Sequence, residues 1–144
     1  MYNYFIKDIL KYLPHRHPFL LVDQILEYSS NFSLVAVSNM SKNDFLGHFP
    51  KKIIYPGFLL LELVAQSCGL LLSISNPKIS KDIFYCLGSV ISAKFKQMVI
   101  PEAQLIIKIF LKNFNFTAYK FYGSIFVKKK LVFTTTLILV QKKF

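Results

Sequence analysis

At 144 residues the chain is of single-domain size, and no internal repeat, low-complexity tract or long polar linker divides it. Eighteen basic against seven acidic residues leave a net charge of +11, although 53% of residues are hydrophobic. A surface of that sign favours an acidic partner, but the composition argues against a nucleic-acid reader, because Arg16 is the single arginine and no helix-turn-helix, zinc or RNA-binding signature accompanies the lysines.

The first stretch, "MYNYFIKDILKYLP", has no basic segment leading into an apolar run and no small-residue cleavage site, so it reads as part of a cytosolic protein rather than as a secretion signal. Phe5, Ile9 and Leu13 recur at helical spacing before Pro14, which predicts a short amphipathic helix over 4–13. Strands are predicted over 19–25 and 32–38, where Val, Ile, Leu, Phe and Tyr gather.

The run from Phe58 to Ile74 is apolar on nearly every face but carries Glu62 and Gln66. It is shorter than the roughly 20 apolar residues that a span needs, and its acid and amide argue against lipid. Pro56-Gly57 opens it and the Ser/Asn/Pro cluster at 73–77 closes it, so a buried helix over 58–72 is predicted. A helix of this kind must be wrapped by other elements. Cys68, inside it, and Cys86 beyond it lack ligand spacing, and both read as buried thiols.

Ser75 to Asp82 reads as a surface loop, and strands follow at 87–95, 104–111, 117–127 and 131–140. The last two form a predicted hairpin whose turn, Lys128-Lys129-Lys130, lacks the usual Asn-Gly or Asp-Gly and leaves the register open. One apolar helix among so many strands is an α+β layout with an antiparallel sheet.

Two residues in this layout carry chemistry. His48 lies between Gly47 and Phe49-Pro50, so its ring is aimed from a restrained loop. Glu62 follows one to two turns into the helix, where an ionised carboxylate is costly unless paired, neutralised or functional. A histidine base and a carboxylic acid form a general base and acid pair. The amides of Gly57 and Phe58, at the positive end of the helix, are free to bind a carbonyl oxygen as charge develops on it. Such a set suits proton removal beside a carbonyl with acid-assisted loss of a group one carbon further on. Spacing alone leaves a surface histidine and a glutamate paired to a lysine open as alternatives. His15 and His17, in "PHRHPF", have no Cys, Asp or Glu at ligand spacing, so structural roles are expected for them and no metal site is predicted.

"LPHRHPFLLVD" (Leu13 to Asp23), "GHFP" (Gly47 to Pro50), "YPGFLLLELVAQ" (Tyr55 to Gln66) and "AKF" (Ala93 to Phe95) stand in an order and spacing that resemble the (3R)-hydroxyacyl-[acyl-carrier-protein] dehydratases of type II fatty acid synthesis. The resemblance spans nearly the whole chain. It implies a hot-dog fold, an antiparallel sheet wrapped around a long central helix, in dimers assembled into a hexamer. It also implies an active site at the dimer interface reached by an acyl tunnel, a substrate presented by acyl carrier protein, and no metal or organic cofactor. By the same resemblance His48 is the catalytic histidine and Glu62 the catalytic glutamate. The Gly57 NH holds the thioester carbonyl, with Gln66, Phe49 and Pro56 in support. His48 is then assigned the C2 proton and Glu62 the departing hydroxyl of a β-hydroxyacyl thioester. The related dehydratase-isomerases have Asp where Glu62 stands, so isomerisation is not expected.

The chain departs from the family pattern at Ile91, where an acidic residue is usual, and over "FKQMVIPEA" (Phe95 to Ala103). Lys94 and Lys96, at the "AKF" strand, are the expected carrier-protein contacts. A hot-dog thioesterase and a non-catalytic acyl-binding protein are the alternatives from other classes; free acid from an acyl thioester, or an unchanged β-hydroxyacyl thioester, would identify them.

Overall fold

The computed structural model describes residues 4–79 and 81–144; Met1 to Asn3 of the N-terminal stretch and Ser80 of the loop after the apolar helix lie outside the described residues. In chain order the elements are β1 (Tyr4–Phe5), α1 (Ile6–Ile9), β2 (Gln24–Ser29), β3 (Ser33–Asn39), a 3-10 turn (Lys42–Phe45), α2 (Gly57–Ser75), β4 (Ile83–Phe95), β5 (Gln104–Asn115), β6 (Ala118–Val127) and β7 (Lys130–Lys143). The strands make one sheet, ordered β1-β2-β3-β5-β6-β7-β4, with antiparallel pairing throughout.

The sheet wraps α2, as the all-round apolarity of that helix requires. Leu63, Val64, Leu70, Leu71 and Leu72 are fully buried, against Leu34 and Ala36 of β3, Ile107 and Ile109 of β5, Phe121 and Ile125 of β6, and Phe133 and Leu137 of β7. Each such side chain is worth about 1.5–3 kcal/mol of burial. α2 is long and apolar enough to cross a membrane by length and composition, but 72% of its most apolar window is buried inside the fold. It approaches β6 so closely that a Cβ at Gly123 would overlap Val64 Cγ1, so glycine is required where helix crosses strand.

β4 begins four residues before its predicted start and β5 runs four residues past its predicted end, and two predicted elements differ more deeply. The predicted helix over 4–13 begins as β1, because Tyr4 and Phe5 pair with Ile25 and Gln24 on the sheet edge. Helical hydrogen bonds then run from Leu10 N–H to Ile6 O through to Leu13 N–H to Ile9 O. The strand predicted over 19–25 starts only at Gln24. The hairpin register is resolved: Val127 pairs with Lys130, and Lys128 and Lys129 both hold positive φ, 49° and 67°, as a two-residue type I′ turn demands.

β4 forms one margin of the sheet, and register shifts fall between Leu87 and Ser89 and between Val90 and Ser92. Ile91, the departure from the family pattern, occupies the second irregularity and is exposed. Cys68 is buried, and burial pushes its thiol well above the usual range. Cys86 is only partly buried, contrary to expectation, because it lies on β4 where the sheet ends.

Candidate active site

His48 is fixed by its own loop. Its backbone N–H donates to Phe45 O, its carbonyl accepts from Ile54 N–H at 2.6 Å, and its ring Nδ1 lies 2.9 Å from Ile54 O. A carbonyl only accepts, so Nδ1 carries the proton and Nε2 keeps its lone pair, the tautomer a general base needs. Phe49 stacks on the imidazole at 4.3 Å between centroids, and Tyr55 N–H donates to Val99 O at 2.7 Å, holding the far end of the loop. Ser41 caps the preceding 3-10 turn through a reciprocal pair with Asp44.

α2 starts beside this loop, with Pro56 at its N-cap and no side chain capping it. The Gly57 and Phe58 amides, in the first turn, have no carbonyl one turn back to bond. A Cβ at Gly57 would come within 2.9 Å of Phe95 Cε1, so the glycine lets the helix start pack against the end of β4. His48, Tyr55, Pro56, Phe58 and Leu59 line one cavity with Pro18 to Leu21, of about 820 Å³.

Glu62 lies in a different cavity, of about 500 Å³, which runs beside α2 past Gln66, Gly69 and Ser73 and is bounded by Ile83 to Leu87 of β4. Its side chain is 25% exposed, so the carboxyl group is not sealed in an apolar shell as the sequence predicts. It is held by Gln66, whose Nε2 donates to Glu62 Oε1 at 2.9 Å. Gln66 is 1% exposed and saturates its other bonds on the loop: Nε2 donates to Phe19 O at 2.8 Å and Oε1 accepts from Leu21 N–H at 3.0 Å. The amide thus takes the place of a neighbouring strand, and 19–21 stays outside the sheet.

Thus Glu62 and Gln66 are brought together, and His48, Phe49, Pro56 and Gly57 cluster at the helix start, but within one chain His48 and Glu62 line separate cavities. His15, expected from sequence to have a structural role, stands with its Nε2 3.4 Å from Glu62 Oε1, a proximity the sequence did not signal. Lys94 and Lys96 are exposed and flank Phe95, whose ring covers Gly57. Among the described residues no group of three or more His, Cys, Asp or Glu is placed to hold a metal ion.

The sequence profile of the FabA-like domain family matches residues 13–136. The chain is 39% identical over 140 residues to the 3-hydroxyacyl-[acyl-carrier-protein] dehydratase FabZ of Actinobacillus pleuropneumoniae, covering 95% of this chain and 90% of that one. It is 37% identical to the protein of the same name from Coxiella burnetii, covering 94% and 98%. Among solved structures, the dehydratase heterocomplex ApeI:P of Xenorhabdus doucetiae aligns with a TM-score of 0.70 at 21% identity, over 94% of this chain and 91% of that one, a likeness of fold.

Proposed function

The chain belongs to the FabA-like domain family and, within it, to the FabZ-type 3-hydroxyacyl-[acyl-carrier-protein] dehydratases, and from that membership we propose how its residues remove water from a (3R)-3-hydroxyacyl thioester. His48 Nε2 takes the C2 proton. The electron pair left at C2 forms the C2–C3 double bond, the C3–O bond breaks, and Glu62 delivers its proton to the departing hydroxyl, so the products are trans-2-enoyl thioester and water. The Gly57 N–H, at the positive end of α2, binds the thioester oxygen as it gains charge. None of these steps calls for a metal or organic cofactor.

The observation that carries this reading is the state of His48: Nδ1 occupied by Ile54 O, the ring stacked on Phe49, and Nε2 left as a base. The active site is assigned to a dimer, with His48 of one protomer working beside Glu62 of the other. Two features support this. His48 and Glu62 line separate cavities in one chain. The Glu62 cavity is also bounded by β4, a 13-residue margin strand that exposes Leu87, Val90 and Ile91, and such an edge invites pairing with a second copy. Dimers assemble further into a hexamer in this reading, and the enzyme works in the cytoplasm on substrate held by acyl carrier protein. Lys94 and Lys96, beside the start of α2, receive that acidic partner. Enoyl absorbance after mixing the protein with a β-hydroxyacyl thioester tests the activity; release of free acid instead would make it a thioesterase.

A further inference from the structure

Resting on the reading of Glu62 as the acid, we propose that His15 is a positioning residue which, with Gln66, fixes Glu62 Oε1 as the acceptor oxygen and so places the acidic proton on Oε2. Two groups converge on one oxygen. Gln66 Nε2 donates to Oε1 at 2.9 Å, and His15 Nε2 stands 3.4 Å from the same atom. Among the described residues neither contact falls on Oε2. An oxygen that accepts the Gln66 N–H and faces the His15 ring nitrogen is the one held as the carbonyl oxygen of a carboxylic acid, which leaves its partner to carry the hydrogen. A carboxyl group free to rotate would present its proton only part of the time.

The loop around His15 is built to aim the ring. Arg16 spends its guanidinium on backbone: Nη1 donates to Leu13 O and to His15 O, each at 2.7 Å, and Nη2 to Leu10 O at 3.1 Å. Leu13 is buried and its Cδ2 lies where a Cβ on Gly69 would meet it at 3.6 Å, so the loop rests on α2 one to two turns beyond Glu62. His15 Nδ1 is buried and has no hydrogen-bond partner among the described residues. A proton on Nδ1 would strand a donor there, which costs more than stranding a lone pair. The ring therefore carries its hydrogen on Nε2, the atom at Glu62. At 3.4 Å the two groups are in close contact without a formed hydrogen bond, and catalytic hydrogen bonds commonly tighten only when substrate is bound.

The test compares His15→Gln, whose amide nitrogen reaches the place of Nε2, with His15→Asn, whose shorter side chain does not, and with His15→Phe, which keeps ring volume without a donor. Enoyl formation and thermal unfolding are measured for each, with Glu62→Gln in parallel. The expected result is a kcat about tenfold or more below wild type in His15→Asn and His15→Phe, with KM within about twofold, and recovery of most of the loss in His15→Gln. Should His15→Phe fail to fold, the Gln and Asn variants decide alone. Wild-type kcat in a folded Asn or Phe variant beside an inactive Glu62→Gln overturns the role of His15 while sparing Glu62. Equal losses in all three His15 variants overturn it as well, because they assign the effect to ring shape. Wild-type turnover in Glu62→Gln removes the acid assignment and this proposal with it.

Discussion

Gln66 Nε2 donates to Glu62 Oε1 across one turn of α2, and the same buried amide bonds Phe19 O and Leu21 N–H. One side chain therefore ties Glu62 to the segment that follows His15 and His17, so the candidate site and the loop share a support.

Gln66→Leu keeps the volume and removes all three bonds, leaving the Leu21 donor and the Phe19 acceptor unpaired. Denaturant unfolding should show a loss of about 2–4 kcal/mol, and the rate of enoyl formation should fall because Glu62 loses its holder. A variant of native stability would mean that water replaces the amide at no cost.

The β6–β7 turn carries strain that can be relieved. Lys128 and Lys129 both sit at left-handed φ, where a residue with a Cβ is disfavoured by about 1–2 kcal/mol. The double replacement Lys128→Asn, Lys129→Gly should raise stability by about 1 kcal/mol or more and leave activity unchanged, as thermal unfolding and the enoyl assay would report.

These two places also show where sequence reading succeeds and where it stops. α2 was legible because apolarity on every face has one solution, burial under a sheet, and β3 to β7 were legible from their Val, Ile, Phe and Tyr content. The strand predicted over 19–25 failed because Gln66, 45 positions away, supplies the hydrogen bonds a neighbouring strand would give. The short β1 was hidden because its helix-like spacing is overridden by pairing to the edge of β2. In the candidate site, His48 and Glu62 stand out in the sequence as an imidazole in a restrained loop and a carboxyl group in an apolar helix, whereas the approach of His15 to Glu62 depends on Arg16 folding back onto the Leu10 and Leu13 carbonyls just beyond α1, a tertiary effect without a local signal.

Asp23 supplies a pH dependence with a definite sign. Burial raises its carboxyl group above the usual range, opposed by the Asn39 N–H that donates to it at 2.6 Å and reinforced by the nearby Asp44. The unfolded chain then ionises first, so as pH climbs from about 4 through the raised folded value this residue subtracts from stability, and the penalty is complete above it. Asp23→Asn keeps an acceptor for Asn39 without the charge. Its melting temperature should gain on wild type as pH rises through that window and then hold a constant difference; a gain that grows toward acid would reverse the sign.

The net charge of +11 predicts a salt effect. Attraction to an acidic carrier protein fades as the screening length shrinks from about 30 Å at 0.01 M to about 10 Å at 0.1 M. The kcat/KM for carrier-bound substrate should therefore fall steeply with ionic strength while that for a short uncharged thioester stays nearly flat, and Lys94→Ala with Lys96→Ala should flatten the first profile. Parallel profiles for both substrates would assign the lysines to composition alone.

The most direct test of the account is subunit mixing. Alone, His48→Ala and Glu62→Gln should each fall at least about 10²-fold in enoyl formation, the scale of a lost general base or acid. If each site takes His48 from one protomer and Glu62 from the other, then unfolding the two variants together and refolding them pairs chains at random, so half of the dimers are mixed and each mixed dimer holds one intact site. Activity should return to about a quarter of wild type. Mixed dimers, verified by differently tagged chains, that stay as inactive as the parents would contradict a site shared across the interface.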